Sequence, residues 1–189
     1  MTEMTVKRAP LPPALERFVV QWGEMGETWG VNRSVAQIHA LLYVSASPVT
    51  AEDIAERLGI ARSNVSTSLR ELVTWTLVRR VQVLGDRRDY FEAEADMFEM
   101  VRRIALGRKA REIDPAIAVL KACVSDAAGD TRVPAAARKR LSGMLAFTQS
   151  VDKSFTEIVA LPPPMLAKLI RMGGAVAKFI GAANGKPKR

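Results

Sequence analysis

Apolar residues recur at helical spacing along most of this chain. Leu15, Val19, Trp22 and Met25 mark one face of a helix predicted over Ala14 to Thr28, which Gly30 interrupts. Val35, Ile38, Leu41 and Leu42 describe a second amphipathic helix that ends before Pro48. In "AEDIAERLG", Thr50 is placed to cap a third helix, Asp53 holds the capping-box position and Gly59 the C-terminal stop. The serine or asparagine after "IAR" opens a fourth, running to about Thr74. The period then drops from helical to two. In "LVRRVQVLGDRRDYFEAEA", Val81, Val83 and, past the "GDRR" turn, Tyr90 alternate with polar residues, which predicts two short antiparallel strands around a tight turn. From Asp96 onward the pattern is helical again. One helix is expected from Asp96 to Glu112, and Asp114 with Pro115 reads as a cap and first-turn proline that start or kink the next. "AAGDTRVP" is a loop, Ala135 to Val159 a long helix, "LPPP" a break and Met165 to Ala183 a last helix, with a disordered tail "GKPKR" expected. There is no internal repeat.

The third and fourth helices carry the most informative spacing. Ala55 precedes Gly59 by four positions and Val65 by ten. A small residue at the crossing, a glycine at the corner and a valine plugging the second helix onto the first make a helix-turn-helix, with Ile54, Leu58, Ile60, Leu69 and Leu72 as its buried side. The other face of the second helix offers Arg62, Ser63, Asn64, Ser66, Thr67 and Arg70. Short polar side chains compete for backbone hydrogen bonds and are mediocre helix formers. A merely solvated face would more often use Glu, Lys or Gln. These groups therefore point to base edges and phosphates of double-stranded DNA. Two strands directly after such a unit make a winged helix, with Asp86, Arg87 and Arg88 at the wing tip. At least one arginine must point outward there, where a guanidinium suits phosphate or a narrow minor groove. The plain alternative is a solvated turn in which Asp86 and Asp89 neutralise Arg87 and Arg88, a pairing that adds little stability.

Composition and charge bound this reading without carrying it. The 189 residues are 48% hydrophobic and 25% charged, an ordinary globular balance. The formal charge of +8 is tempting evidence for nucleic acid, but residues 127–189 hold eleven bases against three acids, while 51–95 hold seven against eight. The case for DNA rests on where individual arginines fall. One cysteine, Cys123, excludes an internal disulfide and a thiolate cluster, and a single His39 removes most metal and triad chemistry; no metal site and no cofactor are expected. The N-terminus lacks the apolar run of a signal peptide, so a cytoplasmic location is expected. No phosphate loop or nucleophile motif is present, so an enzyme is not expected.

The expected fold is mainly α with a small two-stranded wing: a winged helix-turn-helix with flanking dimerisation helices. Residues 1–29 form an N-terminal helical dimerisation or junction segment, 30–95 the winged DNA-binding domain, and 96–189 a C-terminal helical dimerisation region. "RSVAQIHALLYVS" together with "AEDIAERLGIARSNVSTSLRELVTWTLVRRVQVLGDRRDYFEA" resembles the winged-helix core of the MarR-type bacterial regulators. More narrowly it resembles their GbsR-like branch, over about Trp29 to Ala93, and "RRIALGRKAREIDP" is similar to that branch too. The resemblance implies that Asp86 orients Arg88 into the minor groove while Arg87 contacts phosphate. It departs after the wing, where "DYFEAEA" replaces the usual leucine-threonine helix start.

A two-fold homodimer would double the readout on a pseudo-palindromic operator. Met97, Val101, Ile104, Ile117, Leu120, Val124, Leu141, Leu145, Phe155 and Ile158 lie on repeating faces suited to a dimer layer, as the resemblance also implies. Such regulators release DNA on binding a small molecule, and the GbsR-like resemblance implies choline or a related quaternary ammonium compound. Trp22, Trp29 and Tyr43 are the aromatics for such a cage, with simple packing the favoured alternative. Leu166, Leu169, Ile170, Val176 and Phe179, beside Lys168, Arg171 and Lys178, suit either an anionic membrane surface or helix packing. Gly173 and Gly174 favour packing, so a membrane partner is not expected. Cys123 shares a face with Ala116 and Val119 and reads as a small buried hydrophobe. The whole describes a sequence-specific transcription regulator, a repressor before an activator. Its competitor is a winged-helix protein–protein adaptor that binds no DNA; that would offer exposed apolar anchors in place of the polar face.

Overall fold

The computed structural model describes residues 11–168 and 171–173; the tail "GKPKR" and the later part of the predicted final helix, including Leu169, Ile170, Gly174, Val176, Lys178 and Phe179, lie outside them. The chain divides into two compact units, residues 1–104 and 105–189.

In the first unit, α1 (Pro13–Thr28) packs along α2 (Arg33–Tyr43). Their approach depends on two glycines. A Cβ at Gly26 would stand 2.5 Å from the Ala36 methyl, and one at Gly23 2.6 Å from Gln37 Cγ, so side chains there would force the helices apart. Asn32 caps α2 by accepting from the Ser34 amide. β1 (Val49–Thr50) leads into α3 (Ala51–Leu58), whose N-cap Thr50 accepts from the Asp53 amide, and Gly59 turns the corner at φ +64°. α4 (Arg62–Thr74) follows. Its N-cap is Ala61, without a side-chain cap, so neither the serine nor the asparagine opens the helix as expected; the chain has already turned helical at Arg62.

The wing strands β2 (Val78–Val81) and β3 (Tyr90–Ala93) pair antiparallel, and β1 adds to the far side of β3. The sheet is thus three-stranded. The expected two-stranded wing missed β1 because two residues display no alternation, and Val49 and Thr50 are both buried. The core of this unit joins Val19, Ile38, Leu41, Leu42, Val49, Ile54, Val65, Leu69, Leu72, Val78 and Met100.

The C-terminal end of α4 is fixed unusually firmly. The Leu77 amide donates to the Leu72 carbonyl and the Thr76 amide to the Val73 carbonyl, a Schellman closure. The residue that must turn left-handed is Thr76 at φ +58°, where glycine is favoured and a β-branched side chain is strained. Arg103, on α5 (Met97–Arg108), donates to the Thr76 carbonyl, to Glu99 at 2.7 Å, and pairs with Glu94 at 2.9 Å. Held by Arg102 and Arg103, the Glu99 carboxyl is lowered to about 2. α4 is thereby tied to the base of the wing and to the start of α5, which Asp96 caps by accepting from the Phe98 and Glu99 amides.

The second unit is a helical hairpin of α6 (Asp114–Gly129) and α7 (Ala135–Val159). A π-helical turn, Lys109–Ile113, leads into α6 without a break. Asp114 is itself helical and caps nothing, contrary to expectation. Its carboxylate is taken by Lys109, which also lies 2.9 Å from Asp152 of α7. Ile117 is buried and Leu120, Val124, Leu141, Leu145 and Phe155 are half-buried, while Val119, Met144, Phe147, Val151 and Ile158 face outward. Cys123 is exposed, correcting its reading as a buried hydrophobe; it shares the open side of α6 with Val119 rather than the side that meets α7.

Candidate nucleic-acid interface

The 3.6-residue period divides α4 cleanly. Val65, Ser68, Leu69 and Leu72 turn inward, whereas Arg62, Ser63, Asn64, Ser66, Thr67 and Arg70 are exposed. The last two turns of α4 and the wing together wall an open groove of about 680 Å³. Ser66, Arg70, Thr74, Arg80, Arg87 and Arg88 line it, with Glu52 on the α3 side. It brings Ser66 and Arg70 together with both wing-tip arginines. Arg62, Ser63, Asn64 and Thr67 lie outside that groove, on the rest of the exposed α4 face.

Asn64 is already committed within the chain. Its amide donates to the Ser34 hydroxyl of α2 at 3.0 Å and its carbonyl accepts from Ser68 at 3.4 Å. It fastens the start of α4 to the start of α2. Ser63, Ser66 and Thr67 have no such link between elements.

The wing tip is organised by one carboxylate. Asp86 accepts from the Arg88 backbone amide at 2.9 Å, from Arg88 Nε at 3.0 Å and Nη2 at 2.5 Å, and from the Tyr90 hydroxyl at 2.7 Å. Arg88 Nη2 also donates to the Tyr90 oxygen at 3.0 Å, and its guanidinium carbon lies 5.6 Å from the Tyr90 ring centre. These hydrogen bonds hold the Asp86 carboxyl well below the usual carboxylate range and raise the Arg88 guanidinium above its own. The result is a fixed cation at the end of the hairpin. The other acid of the tip pairs differently from the plain solvated-turn alternative: Asp89 takes Arg80 of β2 at 2.7 Å, which leaves Arg87 exposed and without an ion pair.

Tyr90 was read in the sequence only as a strand residue, and Arg80 and Glu52 were not singled out. A signal for Tyr90 existed, because positions 86, 88 and 90 share one side of an extended run. Arg80 and Glu52 enter through packing between elements, which local pattern does not report.

This geometry matches known proteins. Residues 29–89 fit the model of the MarR family. Over that stretch the chain is similar to the MarR-family winged helix. It is 23% identical over 86 residues to the HTH-type transcriptional repressor OpcR of Bacillus subtilis, a match that spans 46% of each chain, so it spans about half the length of that relative. It is 28% identical over 142 residues to the HTH-type transcriptional regulator MmpR5 of Mycobacterium tuberculosis, covering 62% of this chain and 86% of that one. A solved structure described as a transcriptional regulator superposes with a TM-score of 0.61 at 22% identity, over 78% of this chain and 96% of its own, and supports the winged fold.

Behind the winged helix lies a small, almost wholly apolar cavity of about 70 Å³, lined by Phe18, Trp22, His39, Ala40, Tyr43, Met97 and Met100. Phe18, Trp22, His39 and Tyr43 form a run of tilted ring contacts at 5.5, 6.3 and 6.5 Å. His39 Nε2 is buried without a hydrogen-bond partner, and burial lowers the imidazole to about 4, so it is neutral. Of the three aromatics expected in an effector cage, Trp22 and Tyr43 reach this cavity. Trp29 does not, and is 58% exposed. Among the described residues no carboxylate lines it. Among the described residues no helix is long and apolar enough to cross a membrane, and no cluster of His, Cys, Asp and Glu is arranged to hold a metal.

Proposed function

We propose that this protein is a sequence-specific, DNA-binding transcription regulator, a repressor, acting as a homodimer on a pseudo-palindromic operator. The observation that carries the reading is the wing clamp. Asp86 and Tyr90 immobilise Arg88 beside a groove that also presents Ser66 and Arg70 of α4. A winged helix reads DNA by laying one helix in the major groove and reaching along the backbone with its wing. The exposed polar face of α4 supplies the first contact and Arg88 the second, with Arg87 toward phosphate. Arg62, Ser63 and Thr67 extend the reading face. A DNA target implies the cytoplasm.

Homodimerisation is supported by apolar side chains that are exposed among the described residues. Met144, Phe147, Val151 and Ile158 recur along α7, and Met97 and Val101 are open on α5. The "RRIALGRKAREIDP" stretch supports placement in the GbsR-like branch. A small-molecule effector remains part of the proposal, but choline and related quaternary ammonium ions are poorly matched to the aromatic cavity. A cavity of about 150 Å³ is needed for benzene, and this one is about 70 Å³ with no acid in its wall. We read Trp22 and Tyr43 there as packing.

The test is fluorescence anisotropy with a labelled duplex from upstream of the protein's own coding sequence, against a scrambled duplex at matched salt. Selective binding that Arg88→Ala weakens about tenfold or more is expected. Selective binding indifferent to Arg88→Ala would remove the wing from the mechanism. No binding to any duplex, including a random pool, would favour the adaptor.

A further inference from the structure

The wing tip carries an apolar residue that neither the fold nor the clamp uses. Leu84 is 104% exposed, as open as the residue can be in an extended peptide, and its neighbour Val83 is 40% exposed. The other strongly exposed apolar side chains in this range, such as Val119, Met144 and Phe147, lie on helix faces that a second helix can cover. Leu84 instead stands on a hairpin end. It is the second residue of a four-residue turn closed by the Asp86 amide donating to the Val83 carbonyl at 3.1 Å, with Gly85 third at φ +84°. That is the pattern of a type II turn, whose second position tolerates polar residues and proline readily. Folding gains nothing from leucine there.

We propose that Leu84 is an apolar minor-groove contact, inserted between the sugar walls of the duplex while Arg87 and Arg88 hold the flanking phosphates and groove edge. This rests on the DNA reading above and deepens it. Three observations select the duplex as the occupant. The tip is flanked by two arginines, one fixed and one without an ion pair, so its partner is anionic. A minor groove about 6 Å wide admits one side chain on a narrow hairpin end and excludes a helix. The groove's walls are sugar C–H groups, and proteins that enter it frequently insert Leu, Ile, Met or Phe there as apolar wedges. The clamp also makes the contact inexpensive, because Asp86 belongs both to the turn that carries Leu84 and to the Arg88–Tyr90 network. The tip is ordered before DNA arrives, and little freedom is lost on docking.

The contact has a signature that a phosphate contact lacks. Ion-pair contacts release counterions and set the slope of affinity against salt, while an apolar contact shifts affinity equally at every salt concentration. The experiment uses the full-length protein and the tightest duplex that wild type selects from a random-sequence pool, titrated by anisotropy between about 50 and 200 mM salt. Leu84→Ser is expected to weaken binding about tenfold at each salt concentration with the slope unchanged, while Arg87→Ala flattens the slope. Leu84→Lys, which adds a cation at the same point, is expected to bind more weakly than wild type at the upper end of the range. Both Leu84 variants keep the wild-type melting temperature, since the side chain touches nothing in the free protein. Wild-type affinity for Leu84→Ser, a change confined to the slope, or Leu84→Lys as tight as wild type throughout would each overturn the inference while leaving DNA binding intact. Failure of wild type to select any duplex would overturn the DNA reading and this contact with it.

Discussion

The two units of this chain solve the problem of apolar surface in opposite ways. The first closes a core on itself: Ile38, Leu41, Ile54 and Val65 have no accessible surface, and the sheet, the helix-turn-helix and the start of α5 all contribute to it. The second buries few large side chains. Ile117 is covered, yet Met144 is 62% and Phe147 71% exposed, so large apolar side chains of this unit face outward. A unit that is complete alone is fitted to present a rigid reading surface. A unit that leaves such side chains exposed is where the proposed homodimer is expected to form. The difference teaches where each kind of substitution should be felt.

The largest effect is expected where the core is closed. Leu41→Ala should cost about 2–5 kcal/mol, read by chemical denaturation, because a cavity opens among rigid neighbours. A loss below about 1 kcal/mol would mean that the first unit is looser than its burial implies. Next is acid. His39 is held neutral at about 4 by burial against an ordinary value near 6.5. Between those values the unfolded chain binds more protons than the folded one, so stability rises with pH. It should fall by roughly 3 kcal/mol as pH drops from above 6.5 to 4. His39→Phe should flatten the part of the profile due to this group, and an unchanged slope would exclude the histidine as its source.

Which features the sequence disclosed follows from their range. The split of α4 into a buried and an exposed polar face was legible because a single period sorts Val65, Leu69 and Leu72 from Ser63, Ser66, Thr67 and Arg70, and no distant residue is needed to decide it. The cap at Thr50 and the corner at Gly59 were legible for the same reason. The Asp86–Arg88 pair was expected from the resemblance to the MarR-type wing, while the residues alone left open which acid meets which arginine. Tyr90 on the same alternation was not expected there, since its ring reads equally well as a core strand residue. β1 escaped because its evidence lies 42 residues away, in the pairing of Val49 with Phe91. Asp114 and Pro115 do mark the start of α6, with the proline in its first turn, but Asp114 caps nothing because the π-helical turn keeps the chain helical up to it, and Lys109 bridges Asp114 and Asp152. Asn64 looked like a base reader because the sequence cannot show that Ser34, thirty positions earlier, lies within hydrogen-bond reach. The aromatic cavity was half seen: Trp22 and Tyr43 stand out by type, while His39, Met97 and Met100 reach it only through packing.

A smaller effect sharpens the second half of the comparison. Met144→Ser with Phe147→Ser should raise the Kd of the proposed homodimer at least about a hundredfold, since two exposed anchors are lost from each chain. Light scattering at micromolar concentration should then report a single chain, while Leu41→Ala at a temperature where it is still folded should keep the dimer mass. A double variant that stays dimeric would shift the interface to α1 and the open side of α5.

The smallest effect repeats the contrast within α4, between a side chain used inside the chain and one free to leave it. Asn64→Ala breaks the hydrogen bond to Ser34 and leaves Ser68 without its acceptor, so it should cost about 1 kcal/mol of stability. Ser66→Ala removes an exposed hydroxyl on the groove wall and should stay within about 0.5 kcal/mol of wild type. On DNA the order should reverse: Ser66→Ala weakens selective binding directly, whereas Asn64→Ala acts only through the placement of α4 and should be partly rescued by Asn64→Gln. Equal stability losses for the two variants would mean that the link between α4 and α2 contributes nothing measurable, and Asn64 would return to the reading face.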